Sequence, residues 1–157
     1  MTIANYIGDN QKRFEELLTL FFADEYGVTQ RAALAVSTCF DQDPDRFQPY
    51  IQDLVEHLET ENLYVAVKRN IVRLLQFRSI PESLQSQLFD RCLVFLADPN
   101  EPVAVKAFSM TVLYNICKLH PDLKHEVIPL IEDLLVHSNK SGEQNRGKKI
   151  LQKLRKL

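Results

Sequence analysis

Helical hairpins of one length recur along this chain, and that recurrence limits what it can fold into more than any other feature. Val28-Thr-Gln-Arg31, Val65-Ala-Val-Lys68 and Val103-Ala-Val-Lys106 share a Val-x-x-base pattern at offsets of 37 and 38 residues. Pro49-Tyr-Ile-Gln-Asp-Leu-Val-Glu-His57 returns as Pro129-Leu-Ile-Glu-Asp-Leu-Leu-Val-His137, 80 residues on, or two periods. Pro44, Pro81 and Pro121 form a third series. Each enters the first helix of a new pair, where proline's missing N–H would have no partner anyway. The unit is 37–40 residues long, and four units (roughly 1–43, 44–80, 81–120 and 121–157) fill a single domain over 1–157.

Each unit reads as two helices. Phe14, Leu17, Leu18 and Phe21 fall at i, i+3, i+4 and i+7, the spacing of one helical face. No Asn-Gly or Asp-Gly turn separates alternating apolar runs, so strand signals are missing. The spacing predicts eight helices, over 10–22, 28–41, 47–59, 62–77, 81–97, 101–119, 122–138 and 141–157. A helix pair of this size cannot cover its own apolar stripe, so neighbouring pairs must stack. Helix 101–119 is accordingly apolar around most of its girth, whereas the last helix keeps one stripe, Ile150, Leu151, Leu154 and Leu157. Phe21 and Phe22 are adjacent, so one of them is half exposed or is covered by residues 1–9.

Composition agrees with a folded, all-α chain: 157 residues, 45% hydrophobic and 25% charged, with Gly 4 and Trp 0. Cys39, Cys92 and Cys117 each sit inside an apolar helical run and read as small buried hydrophobes in a reducing compartment. No secretory leader is read at the N-terminus, and no apolar stretch approaches the ~20 residues of a membrane span. The expectation is a soluble, cytoplasmic chain with no membrane partner.

The segment Leu96-Ala-Asp-Pro-Asn-Glu-Pro-Val103-Ala-Val-Lys-Ala107, with the two-helix period, resembles HEAT repeats. More narrowly, Val103-Ala-Val-Lys-Ala-Phe-Ser-Met-Thr-Val-Leu-Tyr114 and Arg146-Gly-Lys-Lys-Ile-Leu151 resemble a group of small bacterial HEAT-like proteins, some labelled adenylosuccinate lyase. The resemblance implies an armadillo-type, right-handed α-α superhelix of about four hairpins whose second helices line the concave side. The lyase label finds no support in the residues. That chemistry uses a Ser- and Gly-rich mobile loop, and the only Ser-Gly here is Ser141-Gly142 at a helix start.

Charge is where function shows. Net charge is −2, but first helices carry an excess of acid and second helices an excess of base. In the last helix, Arg146, Lys148, Lys149, Lys153, Arg155 and Lys156 oppose Glu143 alone. With the resemblance, this places Arg31, Lys68, Arg69, Arg73, Lys106, Arg146 and Lys149 on a basic concave face suited to a protein partner with an acidic surface or peptide. A structural alternative stands beside this. Arg31 lies near Asp24 and Glu25, Lys68 near Glu61, and Lys106 near Asp98 and Glu101, so these bases also suit local ion pairs. Arg69, Arg73, Lys148, Lys149 and Lys153 equally suit a plain solvated face.

Nucleic acid is the alternative ligand, by way of a relationship to HEAT-like DNA-repair glycosylases. It is less favoured, because those proteins combine tryptophans with an acid and an arginine and this chain has Trp 0. No catalytic or metal constellation emerges. His57 and His137 occupy equivalent repeat positions, and His120 and His125 flank a turn without zinc-ligand spacing. The chain reads as a non-enzymatic scaffold with no cofactor, a monomer or weak dimer.

Overall fold

The computed structural model describes residues 2–157, and Met1 lies outside them. Among the described residues every regular element is helical. They form two compact units, one running to Leu74 and the other spanning Leu75–Leu157.

The N-terminal unit opens with a short helix, α1 (Ile3–Ile7), followed by α2 (Gln11–Phe21) and α3 (Val28–Gln42). Thr2 Oγ1 accepts the Asn5 N–H at 3.1 Å and Asn10 Oδ1 accepts the Arg13 N–H at 3.0 Å, so both starts are capped by side chains. A 3₁₀ turn (Pro44–Tyr50) leads into α4 (Ile51–His57), and α5 (Val65–Leu75) ends where the second unit begins. The helix predicted over 47–59 thus starts in 3₁₀ form. Pro49 lies inside this segment and lacks the N–H that a regular α ladder would use, whereas Pro44 stands at the start, where none is needed.

The unit's core is aromatic. Phe14, Phe21 and Phe47 are fully buried, and Phe47 meets Phe14 and Phe40 edge-on at centroid distances of 5.1 and 5.7 Å. Arg46 pins the 3₁₀ turn from outside. Its guanidinium donates to Gly8 O at 2.6 Å and Asn10 O at 3.1 Å while lying 4.2 Å from the Phe14 ring. Helix α1 packs on α3 and α2. Phe21 is buried and Phe22 half-buried, shielded by the His57 ring at 4.7 Å.

The C-terminal unit holds α6 (Glu82–Ala97), α7 (Val103–Leu119), a 3₁₀ turn (Pro121–Leu123), α8 (Lys124–His137) and α9 (Ser141–Leu154). Helix α7 is central: α6 and α9 pack against it, and α8 packs on α9. Its buried residues include Val105, Lys106, Ala107, Ser109, Met110, Val112, Leu113, Ile116 and Cys117, which occupy several faces, as the sequence pattern predicts. In α9 one stripe is buried, containing Gly147, Ile150, Leu151 and Leu154. A Cβ at Gly147 would come within 2.8 Å of Leu135 Cδ2, so glycine lets α9 approach α8 this closely.

Burial also corrects the repeat register. Thr29, Val67, Val105 and Glu143 are all at most 2% exposed, and 38 residues separate each from the next. Ala33, Ile71, Ser109 and Gly147 follow one turn later with the same spacing, and Val36, Leu74, Val112 and Ile150 after those. The valines of the Val-x-x-base pattern are not these residues. Val65 is 48% exposed, and Val28 and Val103 are half-buried, because each occupies the first position of its helix, ahead of the packed stripe. Val28 is moreover one residue out of step with Val65. The corrected register pairs Arg31 with Arg69 and Lys68 with Lys106.

Candidate partner-binding cleft

A cleft of about 340 Å³ opens in the C-terminal unit, between Gln76 and Phe77 just beyond α5 and residues of α7 and α9. Asn115 Nδ2 donates to Gln76 O at 2.9 Å and so fixes the segment after α5 against α7. Lys118, Arg146, Lys149 and Lys153 line the cleft, and no carboxylate does. In α9 the bases stand at intervals of three and four residues, so a single helical face presents them. Lys118 Nζ and Lys153 Nζ each lie 5.4 Å from the Tyr114 ring centroid, reaching it from α7 and α9 respectively.

Arg146 is the most constrained of the four. Its Nη1 donates to Thr111 Oγ1 at 2.8 Å and to Ala107 O and Gln76 Oε1 at 3.3 Å each. The guanidinium carbon lies 5.9 Å from the Phe108 centroid. All three acceptors are neutral, so the positive charge is held in place without being compensated. Among the described residues, Lys118, Lys149 and Lys153 also pair with no carboxylate.

The seven bases expected on one face have different fates. Arg31 is exposed, and its Nε donates to Gly27 O at 3.1 Å; Asp24 and Glu25 are not its partners. Arg69 is exposed and Lys68 half-buried. Arg73 is committed to α3: Nη2 meets Asp41 Oδ1 at 2.6 Å, Nη1 reaches Ser37 Oγ at 3.3 Å, and Phe40 lies beneath. Lys106 is the clear correction. At 5% exposure it cannot meet a partner, because it belongs to the buried girth of α7. Arg146 and Lys149 come together in this cleft, joined by Lys118, Lys153 and Tyr114 from outside the seven. The three-and-four spacing of Arg146, Lys149 and Lys153 was the available signal.

A second cleft of this unit has the opposite sign. A cleft of about 580 Å³ involving α6, α7 and α8 is lined by Glu82, Asp90, Asp122 and Glu126. At its edge Gln85 Nε2 donates to Ile80 O at 3.0 Å, which turns Gln85 Oε1 toward His120 Nε2 at 2.8 Å and places a proton on that nitrogen. Among the described residues no group of His, Cys, Asp and Glu is arranged to hold a metal ion. All three cysteines are buried free thiols. Burial pushes Cys92 up to about 12 and, with help from Glu126, Cys117 to about 11, while Cys39 rises through burial against the pull of Arg46. No helix among the described residues is long and apolar enough to cross a membrane.

No curated protein and no solved structure matches the chain significantly. The family described as HEAT repeat domain matches residues 1–154, in keeping with the all-helical hairpins and the 38-residue burial period. The chain belongs to the HEAT repeat family.

Proposed function

We propose that this chain is a non-catalytic, cytoplasmic scaffold that docks an acidic peptide or acidic protein surface through the basic cleft of its C-terminal unit. HEAT repeats are commonly protein-interaction scaffolds. The observation that carries the reading is the cleft itself: four cations, one of them fixed by three hydrogen bonds, with no carboxylate in the lining. An uncompensated cluster of this kind raises the local concentration of anions and favours a partner of opposite sign. The resemblance to small bacterial HEAT-like proteins belongs with this reading, as does a monomeric or weakly dimeric state.

The test is binding of a fluorescein-labelled oligoglutamate peptide, followed by anisotropy. Wild type is compared with Lys149→Glu/Lys153→Glu, and with Arg31→Glu/Arg69→Glu as a control for exposed bases elsewhere. Binding should weaken strongly in the first variant, barely in the second, and should fall with added salt. Equal loss in both variants, or no binding by wild type, overturns the assignment of the cleft.

A further inference from the structure

We propose that the cleft reads a phosphorylated side chain within the partner's acidic segment, with Arg146 as the residue that makes the paired contact. This rests on the reading that the cleft docks an acidic peptide. Every side-chain hydrogen bond Arg146 makes within the chain leaves from Nη1, to Thr111, Ala107 and Gln76. Nε and Nη2 make none, so the guanidinium is anchored at one nitrogen and keeps its two-donor edge for a ligand. That edge forms parallel bonds to two oxygens of one planar or tetrahedral anion.

Charge selects between the two anions that fit such a fork. A carboxylate brings a single negative charge and would leave most of the charge of Lys118, Arg146, Lys149 and Lys153 uncompensated. A phosphoryl group brings about −1.5 to −2 and three acceptor oxygens, enough to engage the Arg146 edge and the ammonium groups beside it together. The volume, about 340 Å³, suits an inserted side chain, being near the lower end of small-ligand pockets. Single-stranded nucleic acid is less favoured, because of the two aromatic rings in the lining Tyr114 already has two ammonium groups 5.4 Å from its centroid, which leaves Phe77 alone as a stacking platform.

The experiment uses the full chain and four fluorescein-labelled probes. Three are one short Asp/Gly peptide with phosphoserine, serine or glutamate at its centre; the fourth is oligo-dT. The phosphoserine peptide should bind roughly tenfold more tightly than the serine and glutamate versions, and more tightly than oligo-dT. Arg146→Lys, which keeps the charge but removes the fork, should abolish most of that preference. So should Lys149→Glu at an exposed position where folding is not at stake.

If serine and phosphoserine peptides bind equally, phosphate recognition is overturned while the acidic-peptide reading stands. If no peptide binds, both readings fall. Tighter binding of oligo-dT overturns the proposal in favour of nucleic acid, and a phosphate preference that survives both substitutions moves the site away from this cleft.

Discussion

Thr29→Val separates the burial register from a simple reading of apolarity. Thr29 occupies the slot filled by Val67 and Val105 in the next two units, and it is 1% exposed. On apolar grounds alone the substitution should help, since exchanging a buried hydroxyl for a methyl is favourable by about 0.8 kcal/mol. The hydroxyl, however, accepts the Glu25 N–H at 3.0 Å and donates to Leu20 O at 3.3 Å. It thereby holds the turn between α2 and α3, in which Asp24 (φ 57°) and Gly27 (φ 82°) both adopt left-handed conformations. Each lost hydrogen bond costs roughly 0.5–1.5 kcal/mol net, and two are lost together. Losses exceed the gain, and Thr29→Val should destabilise by about 1–2 kcal/mol. Urea unfolding followed by far-UV circular dichroism would show this as a midpoint lower by roughly 0.5–1 M. The reverse exchange, Val67→Thr, buries a hydroxyl in an apolar slot and should also destabilise. A Thr29→Val midpoint at or above wild type would refute the claim that the hydroxyl, and not side-chain apolarity, secures this position.

Phe47→Ala empties the centre of the aromatic cluster and should cost about 3–5 kcal/mol in the same assay; a loss below about 1 kcal/mol would contradict its packing against Phe14 and Phe40. His57 has its pKa lowered by burial against the opposing pull of Asp24, so below pH 6.5 the unfolded chain takes up a proton that the folded chain resists. Stability should therefore be fully present above pH 6.5, fall as the pH drops toward the folded-state pKa, and level off beneath it. His57→Phe, which keeps a ring against Phe22, should flatten that part of the profile, and an unchanged slope in the variant would exclude His57 as its source. Cys39, Cys92 and Cys117 are buried with raised pKa values, so a thiol reagent at neutral pH should label them only as fast as the chain opens. Rapid labelling of the native protein would contradict their burial.

Helix positions were readable because periodic apolar residues and three prolines mark both faces and starts. Boundaries failed where hydrogen-bond supply decides them, as in the Pro44–Tyr50 segment, where Pro49 removes an interior donor from a stretch with helical spacing and the geometry is 3₁₀. The one-residue slip at Val28 has a similar origin. Burial of Thr29 is secured by bonds to Leu20 and Glu25, and a scan for apolar residues passes over a threonine. Of the cleft, the α9 face was legible from spacing alone. Tyr114 and Lys118 were not, because their place beside Lys153 depends on how α7 meets α9. Lys106 shows the converse: a charge in a helical pattern normally signals solvent, yet here it lies inside the girth of the central helix.

The same register explains why one set of bases is closed and another open. Arg73 and Lys149 are two periods apart and share a slot on their second helices, with Thr111 between them. Arg73 is neutralised from α3 by Asp41 at 2.6 Å. Two periods beyond Asp41 stands Cys117, a buried thiol held protonated by burial, so α7 offers Lys149 no carboxylate at the corresponding point. The base thus returns after two periods but its acid does not. The two competing readings of the basic residues each apply, but to different members. Where the acid recurs, the base is a strut of the hairpin stack; where it does not, the charge is left to be met by something outside the chain. An ion pair as exposed as Arg73–Asp41 brings little net stability, so the lack of an Asp41 counterpart facing Lys149 costs the fold little while leaving a cation available for binding. Position within the repeat is therefore a poor guide to which bases act on a partner, and the presence or absence of the facing acid is the better one.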